Sequence, residues 1–210
     1  SPSAFIAGQE SLQNPLATAV TSTTTYSVTV TTTAGCTATT TTTVTVAPLT
    51  AGSITTTGSL CAGTNFTATA NTTGGSPTYN YAWTDDVATV YPNAQTVTVN
   101  LAAGAHQLDV TVTDACGGSV PMTLNFNVNA LPTVTVTPST GLICNPGGSA
   151  VSLAAGGATT YAWSPASGLS ATTGSPVSAN PATSTTYTVS GTDGNGCVNT
   201  ATAAITVSSA

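Results

Sequence analysis

Apolar and polar residues alternate along most of this chain. Val97, Val99 and Leu101 fall on one face of an extended segment. So do Leu108, Val110 and Val112, and then Met122, Leu124, Phe126 and Val128. Tyr187 with Val189, and Ala203 with Ile205 and Val207, continue the pattern. A period of two means strands with one face buried, apolar side inward and Thr or Asn outward. Between these runs lie turn signals: NTTGGSP (71–77), LAAGA (101–105), DACGG (114–118) and DGNG (193–196). No segment carries a helical period. The pattern predicts an all-β protein of tandem β-sandwich domains, with six or seven short strands and one Trp-bearing strand in about 80 residues.

The alternation is itself repeated. Residues 23–46, TTTYSVTVTTTAGCTATTTTTVTV, align without a gap on residues 184–207, STTYTVSGTDGNGCVNTATAAITV. Tyr26 falls on Tyr187, Val28 on Val189, Gly35 on Gly196 and Cys36 on Cys197. The same offset sets Pro15 on Pro176, and Ser1-Pro2 lies near Ser164-Pro165. A looser copy fills the middle. TYNYAW (78–83) echoes TTYAW (159–163), and LCAGTNFTATA (60–70) corresponds to ICNPGGSAVSLAA (143–155). Such self-similarity signals tandem domains. The expected division is 1–47, the C-terminal half of a domain, then 48–130 and 131–210 as full domains.

Composition narrows the function. The chain has 210 residues, no Lys or Arg, six acidic residues and one His, for a net charge of −6. With no cation to neutralise phosphates, nucleic-acid binding is excluded, as is polybasic attachment to anionic lipid. No apolar run reaches the roughly 18 residues of a membrane helix, so membrane insertion is not expected. With neither initiator Met nor signal peptide, the sequence reads as a processed piece of a longer chain. Lys–Asn isopeptide crosslinks are chemically impossible without Lys, and trypsin finds no site.

YAWSPASGLSATTGSPVSANPATSTTYTVSGTDGNGCVNTATAAITV (161–207) resembles the tandem immunoglobulin-like repeats of large Bacteroidota surface adhesins. GGSPTYNYAW followed by LAAGAHQLDVTVTDACG, within 48–130, is similar to a PKD or SprB-type repeat, although TrpThrAspAsp (83–86) replaces the usual W-D-F-G-D-G run. The resemblance implies a secreted or surface-anchored extracellular stalk, such as one of the gliding-motility adhesin type.

The five cysteines include no CxxC pair, which favours disulfides in an oxidising compartment over zinc. Two of them bracket each full domain, Cys61 with Cys116 and Cys144 with Cys197, at nearly equal spacings. These spacings predict intradomain disulfides 61–116 and 144–197, each stabilising by roughly 4 kcal/mol on the chain-entropy model. Cys36 then has no partner within the chain. Three explanations stand: its half-domain continues upstream in a longer chain, another copy supplies the missing strands in trans, or the thiol is free.

Other candidates weigh toward structure. Trp83 and Trp163 could be sugar platforms, but a Tyr-x-Trp strand places Trp in a sandwich core, with Tyr26 and Tyr187 as equivalent core residues. His106, the lone histidine, lacks any nucleophile motif beside it; Asp109 follows on the same strand and is expected to share its face. Asp114 and Asp193 match Asx-type turns. Asp85-Asp86 is the better calcium candidate, set against a solvated loop. Asn65 and Asn71 begin N-glycan sequons. The expectation is a non-catalytic stalk segment without metal or cofactor, partnered by neighbouring repeats or by copies of itself in a filament. The rival is a glycan- or surface-binding module using Tyr79, Tyr81 and Tyr91 in the 78–94 loop region.

Overall fold

The computed structural model describes residues 20, 22–145 and 148–209; the expected matches at Ser1-Pro2 and Pro15 lie outside them. The described residues are all strand and loop. Fifteen strands are present among the described residues. The first five are β1 (Thr24–Thr31), β2 (Thr37–Val44), β3 (Thr50–Thr57), β4 (Phe66–Thr73) and β5 (Asn80–Asp85). Next come β6 (Thr96–Val99), β7 (Gly104–Thr113), β8 (Ser119–Val128), β9 (Thr135–Thr137) and β10 (Thr140–Asn145). The last are β11 (Val151–Gly156), β12 (Thr160–Ser164), β13 (Val177–Ala179), β14 (Thr185–Thr192) and β15 (Val198–Ser209). Among the described residues, no helix is long and apolar enough to cross a membrane.

Two compact units divide the chain. The first comprises Ser1–Thr55, Thr69–Gln95 and Leu108–Leu124; the second comprises Thr56–Ala68, Thr96–Gln107 and Asn125–Ala210.

In the first unit, β1 and β2 form an antiparallel hairpin in which Tyr26 faces Thr42. Among the described residues it is a two-stranded sheet. Every residue of β2 is exposed. Beyond the hairpin, β5 pairs with β7, Trp83 opposite Val110 and Asp85 opposite Leu108. Ile54, Ala70, Trp83, Val110, Val112 and Met122 are buried there. The alternation explains this: on β7 the even-numbered positions from 108 to 112 are buried and the odd ones are not.

The second unit holds the clearer sandwich. One sheet runs β10-β15-β14-β12 and the other β13-β11-β9. Strand β10 runs parallel to β15, and β14 antiparallel to it. Leu153, Trp163, Val177, Tyr187, Val189 and Ile205 form the core between them. With the Trp on the third full strand and Greek-key strand order, these are immunoglobulin-like β-sandwiches.

The disulfide expectation is corrected. Cys61 is bonded to Cys197, with Cα atoms 5.6 Å apart, and Cys36, Cys116 and Cys144 are free. Strand length is the reason. Cys61 bridges in parallel to Asn129, just past the end of β8, whereas Cys116 lies in the turn before β8 begins. Ten residues at about 3.3 Å each hold those two cysteines roughly 30 Å apart. A disulfide requires Cα atoms within about 7 Å. Cys144 and Cys197 are separated in the same way: Cys144 pairs with Ser208 near the end of β15, and Cys197 directly precedes its start.

Candidate functional site

The turns that carry the hairpin cysteines share one construction. In the β14–β15 turn, the Asp193 N–H donates to the Cys197 carbonyl at 3.0 Å, and the Gly196 N–H donates to the Asp193 carbonyl at 3.2 Å. The Asp193 carboxylate accepts from the backbone N–H groups of Asn195 and Cys197, each at 2.9 Å. Gly196 has φ +81°, which a residue with a Cβ adopts only at a cost, and so closes the three-residue loop. The turn delivers Cys197 to a buried position against Cys61. Around that bond, Asn199 donates to the Pro132 carbonyl at 3.0 Å, and Asn129 donates from its backbone and side chain to the Leu60 carbonyl. The Pro132 carbonyl is thus tied by a hydrogen bond to the strand that begins just after Cys197.

Asp114 caps the β7–β8 turn. It accepts from Ser76 N–H at 3.0 Å, Cys116 N–H at 3.0 Å and Gly118 N–H at 2.7 Å. The hydrogen bond from Ser76, with those from Gly118 and Cys116, outweighs the opposing effect of burial and holds its carboxyl below the usual aspartate range. Cys116 lines a hollow of about 650 Å³ with Val44, Leu49, Gly75 and Pro77.

Asp85 is buried and accepts from Val87 N–H at 3.1 Å, Thr89 N–H at 2.7 Å and the Tyr91 hydroxyl at 3.0 Å. Burial pushes its carboxyl up, but these hydrogen bonds prevail and hold it below its ordinary value. Burial and the same bond push Tyr91 up. Asp85 is therefore a turn cap rather than half of a solvated pair; Asp86 beside it is exposed. Among the described residues, no group of three His, Cys, Asp or Glu is positioned to hold a metal ion.

Trp83 and Trp163 are 1% and 4% exposed, and each indole N–H donates at 2.8 Å to a carbonyl eleven residues on, that of Ala94 or Gly174. Neither presents a ring face for sugar stacking. Tyr26 and Tyr187 are both buried, and the Tyr187 hydroxyl donates to the Ser167 carbonyl at 2.7 Å. The Tyr79 hydroxyl donates to the Gly74 carbonyl at 2.7 Å, so Tyr79 and Tyr91 both spend their hydroxyls within the protein. His106 hydrogen-bonds the Ala102 carbonyl at 3.0 Å, its ring centroid 6.1 Å from that of Phe126. The expectation that Asp109 shares its face is corrected: an odd separation along β7 points them to opposite faces. Asp109 instead accepts from Thr123 at 2.6 Å. Asn71 donates to the Ser53 carbonyl and the Thr55 hydroxyl, and Asn65 accepts from Asn100.

The feature missed in sequence was the link from Cys61 to Cys197. Its signal was present, because each opening cysteine precedes its turn cysteine by a whole sandwich, an arrangement that sends the two to opposite ends of a long last strand.

No family model matches the chain, and no curated protein matches its sequence. Among solved structures, it is similar to the N-terminal eight immunoglobulin domains of Down Syndrome Cell Adhesion Molecule, at 14% identity and TM-score 0.36 over 88% of this chain. The chain spans 28% of that structure's length. It is also similar to a 1.5-MDa bacterial ice-binding adhesin, at 18% identity and TM-score 0.35, over 88% of this chain and 74% of that one. A Ca²⁺-stabilized adhesin of an Antarctic bacterium matches at 21% identity and TM-score 0.32, over 89% of this chain and 57% of that one.

Proposed function

We propose that this chain is a non-catalytic stalk segment of an extracellular bacterial surface adhesin or filament, of the PKD or SprB-type repeat class of the Bacteroidota. Its repeats are 1–47, 48–130 and 131–210. The observation that carries this is the bond between Cys61 and Cys197, 136 residues apart in sequence. On this division it ties the repeat 48–130, through Cys61, to the closing β14–β15 hairpin of the repeat 131–210, beside the Asn199–Pro132 hydrogen bond. A covalent clamp at a repeat junction limits bending there, and a stalk needs limited bending to extend reach. Buried, oxidised sulfurs suit an extracytoplasmic setting, as does a chain without Lys or Arg. The surface reading through Tyr79, Tyr81 and Tyr91 is weaker, since two of those hydroxyls are already bound within the protein.

Small-angle X-ray scattering of the full chain, before and after reduction, tests the stalk. The oxidised chain should scatter as one extended particle, and reduction should broaden its distance distribution. An identical profile after verified reduction would show that the bond does not govern the junction and would remove the support for a stalk.

A further inference from the structure

Two positional rules define the observed disulfide. Its turn half, Cys197, closes a turn in which its N–H donates to the side chain, and its carbonyl accepts from the N–H, of the residue four before it. Its opening half, Cys61, bridges in parallel to Asn129, fifteen residues beyond the turn residue Asp114.

Both rules are met a second time by cysteines that are free. Cys144 pairs in parallel with Ser208, fifteen residues beyond the turn residue Asp193. It therefore holds in the last repeat the place Cys61 holds in the one before. Cys36 reproduces both hydrogen bonds of Cys197. Its N–H donates to Thr32 Oγ1 at 3.1 Å, its carbonyl accepts from Thr32 N–H at 2.9 Å, and Gly35 has φ +84°. Both thiols are exposed. Cys116 obeys neither rule. It is the third residue of its turn, and Gly118 takes the closing place, donating to Asp114 at 2.7 Å.

A hollow of about 270 Å³ opens beside Cys144, lined by Ile143, Gly148, Asn180, Pro181 and Val207. In the preceding repeat, Leu101 stands at the register of Asn180, seventy-nine residues apart like Asn129 and Ser208. Its carbonyl there accepts from Gly63, two residues past the bonded Cys61.

We propose that Cys144 of one copy bonds to Cys36 of a second copy, repeating the Cys61–Cys197 link head to tail. The occupant of the hollow is the Thr32–Cys36 turn of that second copy, because it carries the free cysteine that closes a turn of the required construction. The contact uses different surfaces on the two partners, so it propagates into an open covalent chain rather than closing as a dimer. The chemistry is thiol–disulfide exchange with a small-molecule disulfide. The Cys36 thiolate attacks oxidised glutathione, forming a mixed disulfide and releasing one glutathione thiolate. The Cys144 thiolate then attacks the Cys36 sulfur, forming the protein disulfide and releasing the second. The two glutathione thiolates take up the two protons lost by the protein thiols. The inference deepens the stalk reading by naming how segments join. Its test reads crosslinks, whereas the scattering test reads bending within one copy.

The test uses the full chain with Cys61–Cys197 intact, incubated with oxidised glutathione and run on non-reducing electrophoresis. The expected result is a ladder of dimer, trimer and higher species, with a peptide joining Cys36 to Cys144 after pepsin digestion. Cys36→Ser or Cys144→Ser should each stop the ladder. The two variants mixed should give a dimer and nothing larger, and Cys116→Ser should leave the ladder unchanged. Homodimers joined 36–36 or 144–144, crosslinks that disappear with Cys116→Ser, or no crosslinks at all would overturn the proposal.

Discussion

The hairpins β1–β2 and β14–β15 are the same object in two surroundings. Their registers match residue for residue: Thr24 opposite Val44 and Thr31 opposite Thr37 in one, Thr185 opposite Ile205 and Thr192 opposite Val198 in the other. Flanking bonds recur as well. Val46 N–H donates to Thr23 Oγ1 at 3.1 Å, and Val207 N–H to Ser184 Oγ at 2.9 Å. Burial differs sharply. Val189 is 0% exposed and Ile205 1%, whereas the equivalent Val28 is 49% exposed and Val44 41%. The reason lies opposite the hairpin. Residues of β11 and β13 pack with those of β14 and β15 in one core, whereas in β1–β2 Tyr26 alone is buried. Register and turn are therefore local properties of the sequence, while burial belongs to whatever packs against it.

Core truncation breaks the comparison most strongly. Ile205→Ala should cost about 3 kcal/mol of unfolding free energy, from lost transfer energy and the cavity left behind. Val44→Ala should change stability by less than about 0.5 kcal/mol, because Val44 is largely in water. Chemical denaturation of both variants checks this, and equal costs would mean that β1–β2 is covered in solution.

Glycine substitution sharpens it. Gly35 and Gly196 have φ of +84° and +81°, and a Cβ built on either meets nothing within 4 Å. Only backbone strain remains, so Gly35→Ala and Gly196→Ala should each weaken its own hairpin by about 1 kcal/mol. Amide hydrogen exchange at the two turns should show matching losses of protection, as a local property requires.

The smallest effect is pH. The β7–β8 turn is capped by Asp114, whereas the β1–β2 turn uses Thr32, which does not titrate. Asp85 and Asp114 both have folded values below the ordinary aspartate range. Their contribution is present above the unfolded aspartate value of about 3.9 and is lost as pH falls through their lower folded values. Thermal melts should therefore show the β5 and β7–β8 region weakening below about pH 4, while the β1–β2 turn keeps its hydrogen bonds. Asp114→Asn should flatten that dependence.

Much of the architecture was legible in the sequence. Alternation placed Leu108, Val110, Val112, Val189 and Ile205 on inner faces because a strand has only two faces to offer. The Asp or Thr opening each turn and the Gly closing it marked the hairpins, since few residues accept that backbone. What sequence could not decide was which cysteine meets which. Equal spacings made Cys61–Cys116 and Cys144–Cys197 look like pairs, yet spacing along the chain says nothing about the two ends of a ten-residue strand. Likewise, residues with the same local sequence at Val28 and Val189 differ wholly in exposure. Pairing and burial depend on distances between segments far apart in the chain, and those exist only once the sheets have packed.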